Sequence, residues 1–177
     1  MVIIRQGIPA DAVAYAELQD QEWDDSMAAV VPKLAARIAT FPEGVLVAEH
    51  DGAVVAGMSF IQLAGYDVSD ERPWEDITDN GWCSTHVPGG SVLFGVDLSV
   101  SKRAPRSTAV LMFMAGLELT IRLGVDRLIW GGRMPRYHRH AANMSALEYA
   151  SSKTRRGRYI DPEIELYSKV PARWAGA

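Results

Sequence analysis

The chain has 177 residues, 48 % hydrophobic and 23 % charged, with a formal net charge of −4. That balance belongs to a folded globular chain with enough residues to bury one core, and it excludes a disordered one; a single domain over 1–177 is expected. Net negative charge argues against a general nucleic-acid binder, and no apolar run reaches the roughly 18 residues that cross a bilayer.

The opening MVIIRQGIPADA has no basic stretch followed by an apolar one, so no signal peptide is read and a cytoplasmic location is expected. Cys83 is the only cysteine, which excludes an internal disulfide framework and a cysteine-based zinc site. Charge is unevenly spread. Residues 1–101 carry 4 Lys+Arg against 16 Asp+Glu, a balance of −12, and residues 102–177 carry 14 against 6, a balance of +8. The change of sign suits an anionic ligand held by the second half, or association of the two halves.

In chain order, Val2 to Arg5 reads as a strand. Ile8-Pro9-Ala10-Asp11 opens a helix that runs to about Gln21. A second helix spans Met27 to Ala39, with Val30, Leu34 and Ile38 on one side, and Pro42-Glu43-Gly44 ends it. Val45 to Glu49 and Ala53 to Leu63 are strands joined at Asp51-Gly52, a strong hairpin signal. From Gly65 to Gly90 periodicity fails, apart from a short helix over Trp74 to Thr78. Trp74 and Trp82 in this loop either line a pocket or anchor the loop to the core.

Ser91 to Leu123 organises the rest. Val92, Phe94, Val96, Leu98 and Val100 alternate as in a strand. Val110, Phe113, Met114, Leu117 and Ile121 share one helical face. Between them lie Lys102, Arg103 and Arg106, then Ser107 and Thr108. Cations and hydroxyls thus meet unpaired amides and a positive dipole end, which suits a phosphate; the plain alternative is a capped helix with solvated cations. Asp126 to Trp130 is a further strand. A helix is expected over Ser145 to Thr154, opened by the capping box Ser145–Glu148. Ile160 to Val170 reads as a final strand or pair from the alternation of Ile164, Leu166 and Ser168. The order predicts an α/β fold: a mixed, mostly antiparallel central sheet flanked by helices.

Several side chains are candidates for chemistry. Asp97, in an otherwise apolar strand, is a general base or a ligand for a substrate ammonium, or else an outward-facing strand residue. Tyr137, His138 and His140 follow the last well-defined strand, and histidine carries protons near neutral pH. No carboxylate accompanies the two histidines at ligand spacing, so no metal site is expected. Cys83 with His86 lacks an oriented base and reads as structural. Arg155, Arg156 and Arg158 meet an anion or form a solvated basic helix end.

The element order, with VLVAEHDGAVVAGMSFIQL, TDNGWCSTHVPGGSVLFGVDLSV and GGRMPRYHRHAANMSALEYASSKTRRGRYIDPEIELYSKV, resembles the GNAT acyltransferase superfamily over nearly the whole chain. Within it the chain resembles the subgroup fused to carbon–nitrogen hydrolases and the acyl-loading domains of polyketide assembly lines. The resemblance implies acetyl-CoA or another acyl-CoA as substrate, with Leu98 and Val100 beside pantetheine and Arg103, Arg106, Ser107 and Thr108 around the pyrophosphate. It also implies a tyrosine such as Tyr137 as acid to the leaving thiolate. The acceptor would be a small molecule or a carrier protein, with no nucleic acid or membrane, and a homodimer is possible through the final strand. The superfamily's pyrophosphate loop is glycine-rich, yet no glycine lies between Gly95 and Gly116. A catalytically inactive binding domain is therefore one alternative to acyl transfer, and a malonyl-CoA decarboxylase or acyl loader is another.

Overall fold

The computed structural model describes residues 1–23, 27–67 and 72–170. Two compact units, Met1–Trp130 and Gly131–Ala177, are taken in turn.

The first unit carries one sheet of five strands in the order β1 (Val2–Gln6), β2 (Val45–His50), β3 (Ala53–Leu63), β4 (Val92–Val100) and β5 (Arg127–Trp130). The first three junctions are antiparallel and β4–β5 is parallel, as the long crossover through α4 (Thr108–Leu123) requires. At the β2–β3 hairpin Asp51 and Gly52 have φ of 50° and 79°, the left-handed pair expected of an Asp-Gly turn.

Helix α1 (Asp11–Glu22) opens where the Asp11 carboxylate accepts Ile8 N–H and pairs with Arg5 of β1. Helix α2 (Val31–Thr40) begins later than the sequence suggested, with Pro32 in its first turn. Tyr15 of α1 bonds to Ser59, whereas Gly116 of α4 sits against Phe60. Adjacent β3 residues face opposite sides, so α1 and α4 cover opposite faces of the sheet. On the α1 face, Ala12, Tyr15, Leu18, Leu34, Ile38 and Val45 form one buried cluster.

Between β3 and β4 runs the expected short helix, α3 (Trp74–Thr78), followed by a tight left-handed stretch. Asp79, Asn80 and Gly81 have φ of 51°, 51° and 80°. Ile77 and Cys83 from this segment pack with Ile61, Val92, Phe94 and Val96 of the sheet, and Trp74 packs against that cluster.

In the second unit, α5 (Ala146–Ser151) has the anticipated capping box: Glu148 N–H donates to Ser145 Oγ, and Ser145 N–H donates to Glu148 Oε2. It stops three residues earlier than expected. Lys153 and Tyr159 then form an antiparallel bridge, and the ammonium of Lys153 lies 4.5 Å from the Tyr159 ring centroid. The strand expected over Ile160 to Val170 is instead helix α6 (Pro162–Tyr167). Alternation in so short a run is outweighed by the helix start. The Asp161 carboxylate accepts the N–H groups of Glu163 and Ile164 at 2.9 and 3.3 Å, and Pro162 supplies a preset φ. Asp161 is fully buried and also accepts from Tyr149 Oη at 3.0 Å. The homodimer expectation thereby loses the strand on which it rested. Among the described residues no helix is long and apolar enough to cross a membrane.

The close seating of Tyr15 on β3 makes a specific demand. A Cβ at Gly57 would lie 2.3 Å from Tyr15 Cε2, and the ring is held by its hydroxyl. Gly57→Ala should lower unfolding free energy by about 1–3 kcal/mol in urea titration, the usual cost of overpacking.

Candidate functional site

β4 is paired along its whole length on one side only. Toward β5 the ladder runs from Val92 opposite Arg127 to Gly95 opposite Trp130, and there β5 ends. Toward β3 the register shifts by one residue: Ser59 faces Asp97 and Phe60 faces Gly95, so Val96 is the extra residue of a β-bulge. Ser101 N–H donates to Val55 O. Backbone groups alternate sides along a strand, so those of Leu98 and Val100 point away from β3, to the edge that β5 leaves open.

This open edge leads through residues 101–107 to the start of α4. No residue of that turn has positive φ. Its backbone form therefore makes no demand for glycine, in contrast to the expectation for a glycine-rich loop. Ala104 N–H donates to Ser101 O and Thr108 N–H to Pro105 O, both at 2.9 Å. Ser107, at the N-cap, makes no side-chain cap bond. Thr108 is fully buried, and among the described residues its Oγ1 is a buried polar atom without a partner. Lys102, Arg103, Arg106 and Ser107 are exposed around it. A helix start and three exposed cations thus fall within residues 102–108.

Asp97 has a different setting from the one its spacing suggested. The bulge breaks the alternation that would oppose Asp97 to Phe94 and Val96, and turns Asp97 toward α1 and α2. Its Oδ1 accepts from Tyr15 Oη at 2.7 Å; Oδ2 accepts from Gln19 Nε2 at 2.7 Å and from Arg37 Nη1. Arg37 also donates through Nε to Gly81 O at 2.7 Å, and its Nη1 lies 3.3 Å from Ser59 Oγ. The side chains of Arg37 and Asp97 are 3 % and 6 % exposed. A base must have a lone pair open to the substrate, whereas both oxygens here are engaged. Burial and the neighbouring carboxylate hold the Tyr15 hydroxyl well above its ordinary pKa. An adjoining cavity of about 70 Å³, lined in part by Lys33, Arg37, Trp74 and Asn80, has room for a few waters rather than an acceptor.

Cys83 is buried with φ of 65°, and burial pushes its thiol up to about 12, so it is not a nucleophile at neutral pH. His86 stacks on Phe41 with ring centroids 4.4 Å apart. Its Nδ1 accepts Gln62 N–H at 3.0 Å, which fixes a neutral ring, and burial lowers its pKa despite Glu43.

In the second unit Tyr137, His138 and Arg139 form a single 3-10 turn. Tyr137 Oη donates to Met144 O at 3.1 Å, and its ring centroid lies 5.4 Å from that of Tyr149. His140 packs on the same Tyr149 at 5.0 Å, whereas His138 is exposed. Arg155, Arg156 and Arg158 are exposed on a turn closed by Gly157 N–H to Thr154 O at 2.9 Å, so they form a hairpin tip and not a helix end. Among the described residues no group of three His, Cys, Asp or Glu could hold a metal ion.

No protein-family model matches the chain. Two curated proteins of Bacillus subtilis (strain 168) are similar to it. The probable hydrolase YhcX is 33 % identical over 134 residues, covering 75 % of this chain and 26 % of that protein. The uncharacterized N-acetyltransferase YkwB is 35 % identical over 135 residues, covering 76 % of this chain and 59 % of that protein. The chain thus spans less than two thirds of the length of either relative. Among solved structures, the loading GNATL domain of CurA from Lyngbya majuscula matches with a TM-score of 0.82 at 15 % identity, over 96 % of this chain and 83 % of that one. The chain has the GNAT fold. The GphF GNAT-like decarboxylase in complex with isobutyryl-CoA matches with a TM-score of 0.71 at 22 % identity, over 94 % of this chain and 84 % of that one.

Arg37, Tyr15 and Gln19 were not visible as partners of Asp97 in this GNAT-fold chain from spacing alone. One signal existed for Arg37: it falls between Leu34 and Ile38 on the apolar stripe of α2, where a charge requires a buried partner.

Asp97→Ala should destabilise the domain by about 3–5 kcal/mol in urea unfolding, because Arg37 is left buried and unpaired. Arg37→Met/Asp97→Leu should recover part of that loss. His86 gives a pH effect of defined sign. Its folded pKa is depressed, so the unfolded chain binds the extra proton; its stabilisation is complete above about pH 6.5 and is lost as pH falls through the unfolded pKa toward the folded one. Melting curves should show a steeper drop from pH 7 to pH 5 for the native chain than for His86→Gln.

Proposed function

We propose that this chain is an acyl-CoA-dependent acyltransferase that moves an acetyl or other short acyl group to an amine or a carrier thiol. The carrying observation is the continuity of the open β4 edge with the start of α4. An extended amide arm pairs with a strand edge as another strand would, and a diphosphate suits a helix start with free amides. Leu98 and Val100 would receive the pantetheine arm. Arg103, Arg106, Ser107 and Thr108, at the start of α4, would hold the pyrophosphate. The GphF neighbour, crystallised with isobutyryl-CoA, supports this assignment. Arginine side chains take over the phosphate contacts that glycine amides would make in a glycine-rich loop. Exposed His138 is our candidate for the proton carrier to the leaving thiolate, with Tyr137 and His140 as the other candidates. Asp97 is assigned to structure.

The closed Asp97 cluster favours a second reading. With no free carboxylate on that stretch of β4 to accept a proton from an ammonium, a thiol acceptor or a decarboxylation becomes the more economical chemistry. In malonyl-CoA decarboxylation the C–C bond breaks, CO₂ leaves, and the enolate takes a proton from His138 or His140 to give acetyl-CoA; an arginine such as Arg155, Arg156 or Arg158 would hold the carboxylate. The CurA and GphF neighbours, a loading domain and a decarboxylase, accord with it.

Acetyl-CoA or malonyl-CoA at a hundred times its Kd should stabilise the domain by about 2.7 kcal/mol in thermal melts. Arg103→Ala/Arg106→Ala should remove most of that gain. Turnover is read as free CoA thiol. CO₂ from malonyl-CoA with acetyl-CoA inert selects the second reading. Neither stabilisation at millimolar ligand nor CoA release would leave an inactive GNAT-fold module.

A further inference from the structure

The Val96 carbonyl has a place in the sheet that the bulge alone decides. Asp97 shares the hydrogen-bonded phase of Ser101 and Ser99, so its N–H points to β3. The Val96–Asp97 peptide is trans, with its C=O opposed to that N–H. The Val96 oxygen therefore points to the other edge, at the first position beyond Gly95 and Trp130, where β5 offers no partner. It is not left bare: Trp74 Nε1 donates to it at 2.9 Å. The indole is held from behind, since a Cβ on left-handed Gly81 would stand 3.0 Å from Trp74 Cη2 and 2.7 Å from Arg37 Nη2.

We propose that Trp74 is a positioning residue: its indole N–H occupies the Val96 carbonyl and so leaves the Leu98 amide as the first free group that an acyl thioester oxygen meets on the open edge. The inference rests on the acyl-CoA reading above. A free carbonyl lone pair at that point would repel the oxygen as it gains negative charge, and would compete for the arm's own amide protons. With the carbonyl engaged, the edge presents a donor, and the thioester has one register instead of two.

Trp74→Phe keeps an aromatic ring in the cluster and removes the donor. Its kcat should fall about tenfold to a hundredfold, as for a reacting group held out of register, with KM for acyl-CoA within about twofold of native and calorimetric affinity for CoA itself unchanged. A native kcat overturns the proposal. So does a loss of CoA affinity and melting temperature in step with kcat, which would mark the tryptophan as merely structural. A second measurement needs no variant: in the native chain the Leu98 amide resonance should move more with acetyl-CoA than with CoA, and equal movement overturns the assignment. If the native chain gains no stability from either ligand, the acyl-CoA reading falls and this inference with it. A normal ligand response with an unaltered Trp74→Phe defeats the inference alone.

Discussion

One guanidinium and one carboxylate, both withdrawn from water, tie the first unit together. Arg37 comes from α2 and Asp97 from the middle of β4. Through them are joined Tyr15 and Gln19 of α1, Ser59 of β3, and the Gly81 carbonyl of the long loop. Gln19 extends the set by accepting Ala29 N–H at 3.2 Å. Such a pair adds little net stability over apolar residues of similar size, yet removing one member is costly. What it adds is direction. Each group has one arrangement that satisfies its partners, and that arrangement fixes two helices and a loop onto the same stretch of β4.

The position of that pair also governs chemistry. A carboxylate on the strand beside the proposed thioester site looks like a base until its partners are counted. Once they are, Asp97 belongs to a closed hydrogen-bond cluster on the α1 face of β4, and the proposed function rests instead on the open edge and the start of α4. The two features belong together. An open edge keeps its register only if the opposite side of the strand is held, and Asp97 and Ser99 hold it through Arg37, Tyr15 and the 2.7 Å bond from Trp23 Nε1 to Ser99 Oγ.

Much of this was legible in the amino-acid sequence, and what was not has a physical cause. Strands β1 to β5, the Asp-Gly hairpin, α3 and the capping box of α5 all follow from local periodicity and turn chemistry, which act over a few residues. The Val96 bulge is a relation between two strands and leaves no mark on either alone; alternation counted through it put Asp97 on the wrong side. Helix α6 was misread because Ile164, Leu166 and Ser168 alternate while Asp161 and Pro162 announce a helix, and the capping bonds decide. The basic turn was legible as a place for an anion, but not the fact that none of its residues has positive φ, so that its backbone makes no demand for glycine.

The spacing along β4 has a further consequence. Leu98 and Val100 are two residues apart, and the helix start follows after one short turn of fixed form. A ligand gripped by its diphosphate at α4 and laid along the open edge is therefore measured against a ruler. Its reactive end reaches the Leu98 level only if the arm between them has the matching length. On the acyl-CoA reading proposed above, truncated thioesters would bind at one end and stop short at the other.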